Sequence, residues 1–152
     1  MSFHCEDCSA HHFAETVYQT HQVIILPPVE FIKEFPDEDV TIHIDRMRLT
    51  QVITNFLGNA KKFTSQGHIK LGYFCDKEKK EIHFFVEDTG AGIPKEELQM
   101  IFERFYKRNE FVQGVGLGLA ISKVIVEKMN GHIDVQSEVN KGSRFTAVLP
   151  YL

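Results

Sequence analysis

The chain has 152 residues, 43% of them hydrophobic, which suits one domain over 1–152 with a packed core. A net charge of −4 argues against a general polyanion binder such as a DNA-coating protein, so no nucleic-acid partner is expected. There is no run of about 18 apolar residues, no basic-then-apolar secretory start, and an odd three cysteines rather than a disulfide framework, so a cytoplasmic domain is expected.

Residues 6–22 read as a lead-in helix with Phe13, Val17 and Tyr18 on one side. The prolines of 23-VIILPP-28 end it, and extended segments follow over 29–35 and 40–44. Residues 46–64 carry the clearest helical period, in Leu49, Val52, Ile53, Phe56, Leu57 and Ala60. Ile69, Leu71 and Tyr73 then alternate with polar residues, as do Ile82, Phe84 and Val86, and the charged turn 76-DKEKK-80 joins them as a hairpin. Pro94 opens a short helix to about Phe102. A further helix spans 117–130, with Gly131 as its expected stop. The stretches 132-HIDVQSEV-139 and 144-RFTAVLP-150 form a second hairpin around Asn140-Lys141-Gly142.

The helix over 46–64 carries more than a core face. At about 100° per residue, Asn55, Asn59 and Lys62 fall at roughly 240°, 280° and 220° from Leu49, on one polar stripe beside the apolar arc. An Asn oxygen is a neutral, hard ligand suited to Mg²⁺ that also binds phosphates, and Lys62 offers those phosphates a point charge. Two asparagines alone describe a solvated helix face equally well.

Two glycine clusters change that balance. In 88-DTGAGIP-94 an aspartate leaves a strand and enters a turn where Gly90 and Gly92 allow close approach of a flat ligand. Asp88 can accept a hydrogen bond from an exocyclic amine, which adenine has and guanine lacks at that position, and Ile93 offers an apolar contact. An ordinary Asp-Thr-Gly turn is the alternative. In 114-GVGLGL-119 three glycines alternate just before a helix, a pattern that makes an anion site. Its spacing is neither the dinucleotide fingerprint nor the P-loop. Taken in order, the three elements describe a site for a magnesium–nucleotide complex.

The chain resembles the catalytic, ATP-binding domain of a two-component sensor histidine kinase, in the superfamily that also holds gyrase, heat-shock chaperones and MutL. The stretch 45-DRMRLTQVITNFLGNAKKFT-64 is similar to the family's N box. In order, 88-DTGAGIP-94 is similar to its first glycine box, 101-IFERFY-106 to the F box, 114-GVGLGL-119 to the second glycine box and 140-NKGSRF-145 to the closing glycine motif. The resemblance runs from about residue 23 to the end, leaving 1–22 least covered. It implies an α+β fold of the Bergerat type: a two-layer α/β sandwich whose mixed, mostly antiparallel sheet has helices on one face.

The same resemblance implies roles. Asn59 becomes the Mg²⁺ ligand and Asp88 the adenine reader; Lys62 and Arg104 reach the phosphates, and Phe63 packs near the adenine. Gly90, Gly92, Gly114, Gly116 and Gly118 shape the backbone around ATP, with Ile93, Val115, Leu117, Leu119 and Ser143 as further binding residues. Phe102 and Phe105 either join the site or only pack the base of a short lid over 106–113. Asn55 stands where hydrolytic relatives and Ser/Thr kinases carry a Glu general base. A neutral imidazole brings its own lone pair, so Asn55, with Lys62 and Arg104, favours phosphoryl transfer to histidine.

None of His4, His11, His12 or His21 has the context of the family's acceptor histidine. The expectation is therefore a piece of a larger kinase, monomeric alone, whose partners are a histidine-bearing dimerisation domain and, downstream, a response regulator. A membrane-anchored parent is compatible with the resemblance. The alternative is a nucleotide-binding regulatory or docking module without useful turnover. Cys5 and Cys8, in 4-HCEDCSAHH-12, have C-x-x-C spacing with three histidines nearby, yet no second ligand pair follows at the usual distance, so they are expected to be surface or packing residues.

Overall fold

A computed structural model of the chain describes residues 2–102 and 118–151. In chain order the elements are Glu6–Ser9 (β1), Ala10–Gln22 (α1), Val29–Glu34 (β2), Thr41–Ile44 (β3), Arg46–Phe63 (α2), Gly67–Asp76 (β4), Glu81–Asp88 (β5), Lys95–Leu98 (α3), Gly118–Lys128 (α4), His132–Glu138 (β6) and Gly142–Pro150 (β7). Among the described residues no helix is long and apolar enough to cross a membrane.

Five strands form the main sheet in the order β2-β4-β5-β7-β6, parallel at β2–β4 and antiparallel elsewhere. Helices pack on one face, giving the expected two-layer, mixed, mostly antiparallel fold. The period-two alternation places Ile69, Leu71 and Tyr73 beside Ile82, Phe84 and Val86, all buried. From above, α2 lays down Leu49, Val52, Ile53, Phe56, Leu57 and Ala60, the residues its period singled out, and all six are buried. Phe56 meets Phe145 of β7 at 5.4 Å, and Phe13 of α1 stands edge-on to Phe84 at 5.3 Å. Each such side chain contributes about 1.5–3 kcal/mol by leaving water.

The opposite face carries charge. Lys70 lies 3.5 Å from Glu34 and 3.9 Å from Glu87, and Arg144 lies 3.5 Å from Glu87, a ladder across β2, β4, β5 and β7. The Arg144 guanidinium also covers the Phe85 ring at 3.8 Å, which keeps Phe85 buried on this side.

Three boundaries differ from the expected ones. The helix expected from residue 6 begins at Ala10, because Glu6–Ser9 pairs with β3 instead, Glu6 opposite Ile44 and Ser9 opposite Thr41. Ser9 caps α1 by accepting the His12 N–H at 3.0 Å, and Asp39 accepts the His11 N–H at 3.0 Å. The helix after Pro94 spans only Lys95–Leu98. At the end of α4 it is Asn130, not Gly131, that takes the left-handed conformation, with φ 66°. Gly131 then donates to the Val126 carbonyl at 3.0 Å and passes so close to the Val148 carbonyl that a side chain would not fit.

Candidate functional site

Helix α2 is fixed at its start and along its polar stripe. Asp45 caps it, accepting the Arg48 N–H at 3.1 Å and, through its other oxygen, the His4 N–H at 2.8 Å. Burial alone would raise the Asp45 carboxyl, but these backbone N–H groups outweigh it and hold the group below its ordinary value. Nearly three turns on, the Asn55 amide donates to the Gly118 carbonyl and to Ser122 Oγ, each at 3.1 Å, so it ties α2 to α4. Asn59 is half-buried one turn later, and Lys62 is exposed in the last turn.

The segment after β5 is held from both sides. Asp88, at the end of β5, is buried, and its Oδ1 accepts the Gly90 N–H at 2.8 Å. The Phe63 carbonyl, at the end of α2, accepts the Ala91 N–H at 3.3 Å. A Cβ on Gly90 would run into that same carbonyl, so the two backbones meet only because residue 90 has no side chain. Gly92 has φ 73° and packs against the Glu138 carbonyl.

From the other side comes the β6–β7 turn. Asn140 donates its N–H to the Ala91 carbonyl at 2.7 Å, and Ile93 donates its N–H to Ser137 Oγ at 2.7 Å. Ser137 Oγ lies 2.8 Å from Ser143 Oγ, and Ser143 is buried directly opposite Asp88 in the β5–β7 register. The end of α2, the 88–94 turn and the 137–143 turn thus converge, although they are well separated in sequence. One residue at this junction was not singled out by sequence: Thr64, buried, with its hydroxyl against Gly90. Its place at the end of the N-box-like stretch was the available signal.

Gly118 and Leu119 are the first residues of α4, within the helix expected over 117–130. Phe102 is partly buried against the core. Arg104, Phe105, Gly114, Val115, Gly116 and Leu117 lie outside the described residues, as does the expected lid over 106–113. At the N-terminus Cys5 is exposed, Cys8 sits in β1 opposite Ile42, and His11 and His12 lie on α1; all three cysteines are free. Among the described residues, one group of three carboxylate or imidazole ligand atoms lies within 4.8 Å: Asp76, Glu81 and His83 at the β4–β5 turn, far in sequence from Cys5 and Cys8.

Residues 44–152 match the family model of histidine kinase-, DNA gyrase B- and HSP90-like ATPases. The chain is 38% identical over 128 residues to the sensor histidine kinase WalK of Bacillus subtilis, covering 81% of this chain and 21% of WalK. It is 44% identical over 110 residues to the sensor protein SrrB of Staphylococcus aureus, covering 70% of this chain and 19% of SrrB. The chain therefore spans about a fifth of the length of these curated relatives. Among solved structures, full-length ShkA in complex with AMPPNP superposes with a TM-score of 0.89 at 28% identity, over 99% of this chain and 32% of that one. The catalytic domain of the histidine kinase ThkA gives 0.86 at 28% identity, over 98% and 97% of the two chains.

Proposed function

The chain belongs to the histidine kinase-, DNA gyrase B- and HSP90-like ATPase family as a histidine-kinase-type catalytic domain, and from that premise we propose that it binds Mg·ATP and transfers the γ-phosphoryl group to a histidine on a separate dimerisation domain. The observation that carries this reading is the junction of Asp88, Gly90 and Gly92 with the end of α2 and the β6–β7 turn.

Asp88 accepts the adenine amine, while Phe63 and Ile93 flank the base and Ser143 supports Asp88 across the register. Gly90 and Gly92 hold the turn that carries Asp88 against the Phe63 and Glu138 backbones, which a side chain at either position would meet. Asn59 supplies a half-buried neutral oxygen on the same helix face, the donor type that fits Mg²⁺. When bound, the ion neutralises charge on the phosphate oxygens. Lys62 and Arg104 add positive charge there, with Gly114, Val115, Gly116, Leu117, Gly118 and Leu119 as the remaining nucleotide contacts.

In the transfer, the imidazole lone pair forms the N–P bond as the bond from Pγ to the bridging oxygen breaks and ADP leaves. A neutral imidazole attacks with its own lone pair, so it needs less help from a general base at position 55. Asn55 is suited to this step as a support, since its amide is engaged with Gly118 and Ser122. The same reading places a response regulator downstream, and the domain alone as a monomer.

Calorimetric titration with a non-hydrolysable ATP analogue, with and without Mg²⁺, tests the site on wild type and Asp88→Asn. Mg²⁺-assisted binding that weakens in the variant is expected, followed by label transfer from γ-labelled ATP to an added acceptor domain. Absence of binding by folded wild-type protein would overturn the reading. Binding without transfer would favour a docking module instead.

A further inference from the structure

We propose that Thr64 is a specificity-determining residue, its hydroxyl donating to the ring edge of the bound base beside Asp88, directly or through one water. This rests on the ATP reading above.

Thr64 follows α2 in an extended conformation, φ −116° and ψ 111°, and is 5% exposed. Its Oγ1 has no hydrogen-bond partner among the described residues. Neighbouring hydroxyls at this junction are bonded: Ser137 to Gly142, Ser143 to Ser137 and Thr89 to the His68 N–H. A buried hydroxyl left unbonded is costly, and a valine of the same shape would avoid that cost. An orphan of this kind marks a place where a ligand or water completes the bonding.

Its position says which ligand edge. A Cβ on Gly90 would lie 2.9 Å from Thr64 Oγ1, and the Gly90 N–H is held by Asp88 Oδ1 at 2.8 Å. The hydroxyl and the carboxylate therefore border the same residue, whose Cβ position is taken by the Phe63 carbonyl. An ionised carboxylate only accepts, whereas a hydroxyl can donate. Adenine offers a matching edge, an amine donor beside a ring-nitrogen acceptor. Guanine offers the reverse, a carbonyl beside an N–H. Sites built to hydrogen-bond a group reject analogues that lack it, because the buried partner is left unpaired.

The test compares ATP with 1-deaza-ATP, in which that ring nitrogen is a C–H, on wild type, Thr64→Val and Thr64→Ser. Wild type is expected to bind the analogue about tenfold more weakly than ATP. Thr64→Val is expected to lose about the same factor for ATP and to stop distinguishing the two, while Thr64→Ser behaves as wild type. Free Thr64→Val should unfold at the same or a higher temperature. Equal binding of ATP and the analogue by wild type would overturn the inference, and so would a Thr64→Val protein that still discriminates. A lower unfolding temperature of the free valine variant would also overturn it, by showing that the hydroxyl is bonded within the fold. Failure of wild type to bind either nucleotide would bring down the ATP reading and this inference with it.

Discussion

Asn55 and Gly118 are joined across 63 residues by a 3.1 Å bond from the Asn55 amide to the Gly118 carbonyl, and Ser122 Oγ completes a triangle with 3.1 and 2.9 Å sides. The bond crosses from α2 to the first residue of α4, the last glycine of the glycine-rich stretch. It locks the start of one helix to the polar stripe of another.

Asn55→Ala removes two of the three bonds and is expected to cost about 1–3 kcal/mol. Ser122→Ala should cost about 1 kcal/mol, and the double variant should show a coupling of about 1 kcal/mol. Urea unfolding of the four proteins measures this. A coupling near zero would mean that the triangle does not act as a unit. Label transfer to an acceptor domain should also fall in Asn55→Ala, and unchanged transfer would remove any functional role for the tie.

Two glycines should respond with opposite signs to alanine. Gly58 lies exposed within α2, and nothing lies within 4 Å of an added Cβ. Gly58→Ala is expected to stabilise by about 0.5–1 kcal/mol. Gly92 has φ 73° and abuts the Glu138 carbonyl, so Gly92→Ala should destabilise by at least about 1–3 kcal/mol. Melting temperatures that move the same way for both would refute the assignment of these contacts.

The α2 cap should show itself in acid. Asp45 is held below its ordinary value in the folded chain: burial opposes this, and the His4 and Arg48 N–H groups override it. A depressed folded value means the stabilisation is present above the unfolded value of about 4 and is lost as pH falls through the folded one. Asp45→Ala should cost about 1 kcal/mol near neutrality. The gap to wild type should narrow below about pH 4; a gap constant from pH 7 down to pH 2 would contradict the capping role.

On the charged face, Arg144 works through its flat shape as much as its charge, covering Phe85 at 3.8 Å. Arg144→Ala should cost about 1–2 kcal/mol, and Arg144→Lys should recover little of it, because a point charge does not stack as a guanidinium does. Full recovery by lysine would assign the effect to the Glu87 pair alone.

Periodicity made much of the fold legible. The six apolar residues of α2 are the six that are buried, and the alternation in β4 and β5 named the sheet core, because both signals come from one face of one element meeting apolar neighbours. The ordered motifs likewise named the candidate site residues without any structure. Strand β1 was not legible: Glu6–Ser9 has no alternation of its own, and its partner β3 lies more than thirty residues away, so only tertiary pairing makes it a strand. The stop at Asn130 was hidden for a similar reason, since Gly131 is shaped by the Val148 carbonyl of another strand. The sequence by itself determined the family, the fold class and the apolar faces of α2, β4 and β5, because these follow from ordered motifs and local periodicity. The tertiary structure alone decided that the end of α2, the 88–94 turn and the 137–143 turn meet, and that Thr64 Oγ1 is left without a partner among the described residues, because both depend on backbone contacts between segments far apart in the chain.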